Sequence, residues 1–129
     1  MSLEVAGLAH IGLRVHDLDR SRAFYERLGF RWAWGPVGPE PVAAMTHSSG
    51  LELNFIVNAA EAERPNILMD VAEKYPGITH IAFKIADIAT TESELNSAGI
   101  AISGKRGANP VRALFVRDPD GNVIELAAD

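Results

Sequence analysis

The sequence predicts an α+β fold made of two tandem βαβββ modules, and three observations carry that expectation. First, LAHIGLRVHDL (Leu8 to Leu18) returns as ITHIAFKIADI (Ile78 to Ile88) at a constant offset of 70 residues. Two such phrases in fixed register mark a duplicated unit. Second, Asp17 and Asp87 are each followed by about ten helix-compatible residues that stop at Gly29 and Gly99, since aspartate caps a helix start and glycine ends one. Third, each helix is followed by three short apolar runs separated by glycine- and proline-rich loops.

In chain order, the first repeated phrase is a strand in which His10, Gly12 and Arg14 share one face. In its copy Ile81, Phe83 and Ile85 face a core, while His80, Ala82 and Lys84 face the other way. Phe24, Tyr25 and Leu28 give the first helix a buried face; Ile88, Leu95 and Ala98 give the second a weaker one. Strands are expected at Phe30 to Trp34, Val42 to His47 and Leu51 to Val57. In the second half they are expected at Ile100 to Ser103, Ala113 to Arg117 and Asn122 to Ala127. The loops GPVGPEP (Gly35 to Pro41) and DPDGN (Asp118 to Asn122) carry turn chemistry. The reading is one domain over 1–129, with module 1 at about 5–58, module 2 at about 78–129 and a linker at 59–77. That linker is expected to hold a short helix around Ile67 to Lys74 and to close at Pro76-Gly77.

Bulk properties narrow the function. With 129 residues and 47% apolar content the chain can bury a core without covalent staples. A net charge of −5 gives no basic footprint for nucleic acid or an acidic membrane, leaving small molecules as the expected partners. Having no cysteine, the chain must hold any metal through histidine, carboxylate or water. The start MSLEVAG lacks the basic and apolar regions of a signal peptide, and no run reaches membrane-spanning length, so a cytoplasmic location is expected.

The last strand of each module also rhymes: LEL (Leu51 to Leu53) matches IEL (Ile124 to Leu126) at an offset of 73. Glu52 and Glu125 each point away from flanking core residues. A carboxylate on an enclosed sheet face is costly unless paired or bound to a cation. His10, Glu52, His80 and Glu125 therefore form a candidate metal set, one histidine and one glutamate per module. Two neutral imidazoles and two carboxylates suit one divalent first-row ion (Ni, Co, Zn, Mn or Fe) with room for water. Such an ion acts as a Lewis acid on a substrate oxygen, with Glu52 or Glu125 as the base toward an adjacent carbon acid. Arg14 and Lys84, one pleat beyond the histidines, are candidate substrate-binding cations.

Each residue taken alone has a plainer explanation. A single strand histidine is usually a satisfied core or surface residue, and Glu52 alone reads as a solvated side chain on an open face. Arg14 and Lys84 can snorkel from a strand edge. His16 and His47 have no repeat partner and read as surface-loop or strand-end residues. Trp32 and Trp34 share a face with Phe30 and read as core, with pocket lining the alternative. Lys105, Arg106 and Arg112, within GKRGANPVR, read as a solvated loop. The symmetric recurrence of four ligand types outweighs these separate readings for the histidines and glutamates.

The opening HIGLRVHDLDRSRAFYERLGF, the GLEL strand, THIAFKI and the ending RDPDGNVIEL together resemble the vicinal oxygen chelate superfamily over nearly the whole chain. That superfamily includes glyoxalase I, extradiol dioxygenases, fosfomycin-modifying thiol transferases and bleomycin-binding proteins. The resemblance implies paired βαβββ modules rolled into a concave mixed sheet around a divalent metal. Glyoxalase I resembles the chain best, with ligands at all four matching positions and an arginine for glutathione at Arg14. This implies lyase or isomerase chemistry, a thiol conjugate among the candidate substrates, and a homodimer whose site is shared between chains. The pattern departs at Ile56, where glyoxalase I commonly has an asparagine four residues after its first glutamate. It departs again at Pro76, where some relatives have an anion-binding arginine. Dioxygenases and fosfomycin transferases, with two histidines and one glutamate, resemble it less. A bleomycin-type drug-binding protein, which lacks the metal set and uses an aromatic cleft, is the rival of another class.

Overall fold

A computed structural model of the chain describes residues 2–60 and 64–129. It divides into two compact units, Met1–Glu63 and Arg64–Asp129, and each repeats the same order of elements.

The first unit contains β1 (Ile11–Arg14), α1 (Leu18–Arg27), β2 (Arg31–Val37), β3 (Val42–Thr46) and β4 (Glu52–Ile56). Its sheet runs β1-β4-β3-β2, with β1 parallel to β4 and the other pairs antiparallel. The parallel pair is joined through the rest of the unit, as a parallel connection requires. Asp17 caps α1, its carboxylate accepting from Arg20 N at 3.1 Å. Tyr25, fully buried, packs its ring against Phe24, Phe30 and Phe55 at centroid distances of 5.0, 5.8 and 5.6 Å. This aromatic cluster, with Ala43, Met45 and Leu53, is the first unit's core.

The second unit contains β5 (His80–Lys84), α2 (Ile88–Ala98), β6 (Ile102–Arg106), β7 (Ala113–Arg117) and β8 (Val123–Ala127), with sheet order β5-β8-β7-β6. Asp87 caps α2 through Thr90 N at 2.8 Å, and Gly99 ends it in the left-handed conformation at φ 73°. Leu95, Leu114, Val116, Ile124 and Leu126 form the core. Asp118, almost fully buried, accepts from the backbone of Asp120 and Asn122 and from the Asn122 side chain, fixing the turn between β7 and β8.

The α+β class with two βαβββ modules is what the repeat predicted. Three local expectations differ. The stretch expected to be a helix around Ile67 to Lys74 is a turn and bend, held by Asp70 N to Ile67 O at 2.8 Å. The Asn66 side chain accepts from Leu68 N at 3.0 Å, a local turn bond that competes with a helix, and Pro76 biases Tyr75 away from the helical region. Residues 64–77, expected within the linker, belong to the second unit. Asn66 N donates to Asp120 O at 2.7 Å, and Asp70 pairs with Arg117 at 2.8 Å. Positions 61–63 of that linker lie outside the described residues. Finally, the strand expected at Ile100 to Ser103 lies at Ile102–Arg106, so Lys105 and Arg106 are strand residues rather than loop. Among the described residues no helix is long and apolar enough to cross a membrane.

Candidate functional site

Strand register decides which side chains share a face, because residues paired across a sheet point the same way. In the first unit Ile11 pairs with Leu53, Gly12 with Asn54 and Arg14 with Ile56. Continuing that register one step back brings His10 alongside Glu52. Buried Leu53 and Phe55 occupy the core face of β4, so Glu52, Asn54 and Ile56 occupy the other. The face thus carries a row of His10 and Glu52, a row of Gly12, Asn54 and Ala44, and a row of Arg14, Ile56 and Val42.

In the second unit His80 pairs with Val123, Ala82 with Glu125 and Lys84 with Ala127. Glu125 lies one residue pair further along the face than His80, and the two side chains meet: His80 Nε2 is 3.1 Å from Glu125 Oε1. A carboxylate only accepts, so Nε2 carries a proton in this contact, and in the neutral ring Nδ1 accepts from the Thr79 hydroxyl at 2.7 Å. That hydroxyl also accepts, so it can equally support the tautomer in which Nε2 offers its lone pair to a metal. Glu125 Oε2 accepts from Arg106 Nη2 at 3.0 Å, and Arg106 Nη1 donates to Asp129 at 2.9 Å. Asp129, and then Glu125, push the Arg106 guanidinium pKa further up, while Arg106 holds the Asp129 carboxyl below its usual range. The Glu125 side chain is 12% exposed.

The two units do not match at the position that the LEL and IEL rhyme suggests. Partners across β1 and β4 place Asn54 opposite Gly12, and partners across β5 and β8 place Glu125 opposite Ala82. The antiparallel pairs agree: Asn54 partners Ala44 and Glu125 partners Phe115. Asn54 is therefore the counterpart of Glu125, at an offset of 71, and Glu52 is the counterpart of Val123. Alignment at 73 slips the strand by two, which keeps every side chain on its face and so leaves the apolar pattern intact. Under the structural register, the fourth residue beyond the counterpart position is Asn58 rather than Ile56.

Asn54 is the residue that the sequence pattern did not single out. Its Oδ1 is buried and lacks a hydrogen-bond partner among the described residues. A buried carbonyl oxygen left unsatisfied costs about 1–3 kcal/mol, so it marks a place where a partner belongs. Arg106 was likewise hidden, as its pairing across the sheet has no local signal.

The candidate substrate cations differ from one another. Arg14 donates from Nε to Asn58 at 3.0 Å and from Nη2 to Glu40 at 3.2 Å, so it is paired within its own unit. The Asn58 amide and then Arg14 hold the Glu40 carboxyl below its usual range. Lys84 is exposed, with no ion-pair partner among the described residues. His47 directly follows β3, as expected of a strand-end residue, with its ring tilted against Phe30 at a centroid distance of 5.0 Å. Trp32, half-buried, lies under the Arg22 guanidinium at 4.7 Å. Trp34 is 44% exposed and is not core. A bulge between Trp32 and Trp34 is the reason: Trp32 pairs with Met45 on the core face, and Trp34 pairs with Ala44, in the Asn54 row.

Among the described residues no three histidine, aspartate or glutamate side chains converge closely enough to hold an ion. Each unit carries donor atoms of its own: the His80 and Glu125 contact in one, and His10, Glu52 and the unsatisfied Asn54 oxygen in the other. Imidazole nitrogen with carboxylate and amide oxygen suits a first-row divalent ion.

Known proteins share this framework. The chain is 34% identical to the lactoylglutathione lyase of Haemophilus influenzae over 92% of its own length and 90% of that protein's. Its fold matches the glyoxalase family protein from Enterococcus faecalis at a TM-score of 0.76, with 25% identity, covering 95% of this chain and 97% of that one. It also matches the genomically encoded fosfomycin resistance protein FosX from Listeria monocytogenes, in a mutant form complexed with Mn(II) and 1S,2S-dihydroxypropylphosphonic acid. The TM-score there is 0.69 at 21% identity, covering 97% of this chain and 91% of that one. The Glyoxalase/Bleomycin resistance protein/Dioxygenase superfamily model matches residues 7–126, and the chain belongs to that superfamily.

Proposed function

We propose that the chain is a divalent-metal-dependent enzyme of the glyoxalase I type, acting by isomerase or lyase chemistry on a small oxygenated substrate. One ion (Ni, Co, Zn, Mn or Fe) is held by His10, His80, Glu125 and an oxygen donor from β4, for which Glu52 was the sequence candidate. The observation that carries this reading is the 3.1 Å contact of His80 Nε2 with Glu125 Oε1, which puts a nitrogen and an oxygen donor side by side on one face. The identity with a lactoylglutathione lyase supports the reaction class. Once bound, the ion supplies Lewis-acid polarisation of a substrate oxygen. The chain itself supplies the base: Glu125 is engaged by His80 and Arg106, so Glu52, on the first unit's sheet, is the carboxylate left to take a proton from the neighbouring carbon. Lys84 is the exposed cation suited to an anionic part of the substrate. A homodimer, with His10 of one copy completing the donor set of His80 and Glu125 of the other, is the assembly this reading favours.

Elemental analysis of protein purified without chelator, followed by titration with Ni, Co, Zn and Mn, tests the metal. About one ion per chain is expected; no bound ion and no uptake would remove the reading. Metal-loaded protein is then screened against hemithioacetals of glutathione, acyl-CoAs, catechols and fosfomycin for the substrate.

Exposed Trp34 in the Asn54 row favours a second reading, a ligand-trapping protein that stacks an aromatic drug and is indifferent to metal. Quenching of tryptophan fluorescence by bleomycin in chelator-treated protein, lost in Trp34→Ala, would select it.

A further inference from the structure

We infer that Asn54, and not Glu52, supplies the first unit's oxygen to the metal site, so that the site contains a single carboxylate. This rests on the metal-dependent reading above. Two strand pairings fix Asn54 as the counterpart of Glu125 independently of each other: the parallel pairs with Gly12 and Ala82, and the antiparallel pairs with Ala44 and Phe115. The β1 neighbour of Asn54 also adds no bulk. Gly12 has no side chain, and a Cβ built on it would meet nothing within 4 Å. In the second unit the residue beside Glu125 is equally small, Ala82.

The chemistry of Asn54 agrees with its place. Its Oδ1 is buried and unsatisfied, a state that a neutral amide tolerates at moderate cost and that a carboxylate would not. An amide oxygen is a hard neutral donor of the kind that binds Mg, Ca and Mn readily. Glu52 stands two residues earlier, in the row before, beside His10. Its negative charge near the ion then serves proton transfer, and ligation leaves it free.

Two neutral imidazoles, one amide oxygen and one carboxylate leave a bound divalent ion with a net positive charge. A set with two carboxylates would neutralise it. The site so built favours a substrate that brings an anionic oxygen of its own to the ion.

The test uses the full-length protein and the metal alone, by isothermal titration with Mn(II) and Co(II), with the d–d spectrum of the Co(II) form as a second readout. Asn54→Ala is expected to weaken affinity about tenfold or more. Asn54→Asp, which adds a charge at nearly constant size, is expected to strengthen it about tenfold, a gain that misfolding cannot mimic. Glu52→Gln is expected to stay within about twofold of wild type in affinity and to leave the Co(II) spectrum unchanged. A tenfold loss in Glu52→Gln, with Asn54→Ala and Asn54→Asp both unchanged, would overturn the assignment while leaving the metal site standing. Wild-type protein that takes up no ion would overturn the metal-dependent reading, and this assignment with it.

Discussion

His80 Nε2 and Glu125 Oε1 lie 3.1 Å apart, and the same carboxylate gives its other oxygen to Arg106 at 3.0 Å. Arg106 thereby aims one oxygen of Glu125 toward His80. Its charge is shared with Asp129, so orientation should outweigh its repulsion of a cation. Arg106→Leu is expected to weaken Co(II) affinity about tenfold, within the range for partners that orient metal ligands. A rise in affinity would show that repulsion dominates and that Arg106 does not position Glu125.

The two glutamates should separate in their effects. Glu52→Gln is expected to lose about 10²- to 10⁴-fold in turnover while keeping its metal, because glutamine is a far weaker base. Glu125→Gln is expected to lose metal affinity first, less severely than His80→Ala, because the amide oxygen still coordinates. Metal content and turnover measured on the same preparations decide; a fully active Glu52→Gln enzyme would reject Glu52 as base.

Sharing of the site between copies is testable by complementation. His10→Ala and His80→Ala proteins, denatured together and refolded, pair at random. In a shared site about a quarter of wild-type sites should return, since each mixed dimer regains one complete donor set. No recovery of tight metal binding in a verified mixed dimer would place the site within a single chain.

Asp70 and Arg117 tie the stretch after the first unit to β7, and Arg117 holds the Asp70 carboxyl below its usual range. A carboxyl with a lowered folded pKa contributes stability that is complete above the unfolded value of about 3.9 and is lost as pH falls through the folded value. Asp70→Asn should therefore lower the urea midpoint at pH 7. The difference from wild type should shrink once pH falls below about 3.9. A pH-independent difference would mean that the aspartate acts through its hydrogen bonds alone.

The duplicated phrase, the capping aspartates Asp17 and Asp87, the glycine stops and the core faces of the strands were legible in the sequence. Each is a local property, set by a side chain's preference for its own backbone or by periodicity within a few residues. So were the repeated histidines, His80 at the start of β5 and His10 one residue before β1. Tertiary structure alone decided three things. Arg106 meets Glu125 and Asp129 across strands that are distant in sequence, leaving no mark in its own loop-like surroundings. The bulge in β2 turned Trp34 onto the face of Asn54, against the alternation that joined it to Trp32 and Phe30. Most consequential, the register of β4 against β1 and β3 made Asn54, rather than Glu52, the first unit's equivalent of Glu125. A period-two pattern is unchanged by a slip of two residues, so only the hydrogen-bonded pairing of neighbouring strands distinguishes the two.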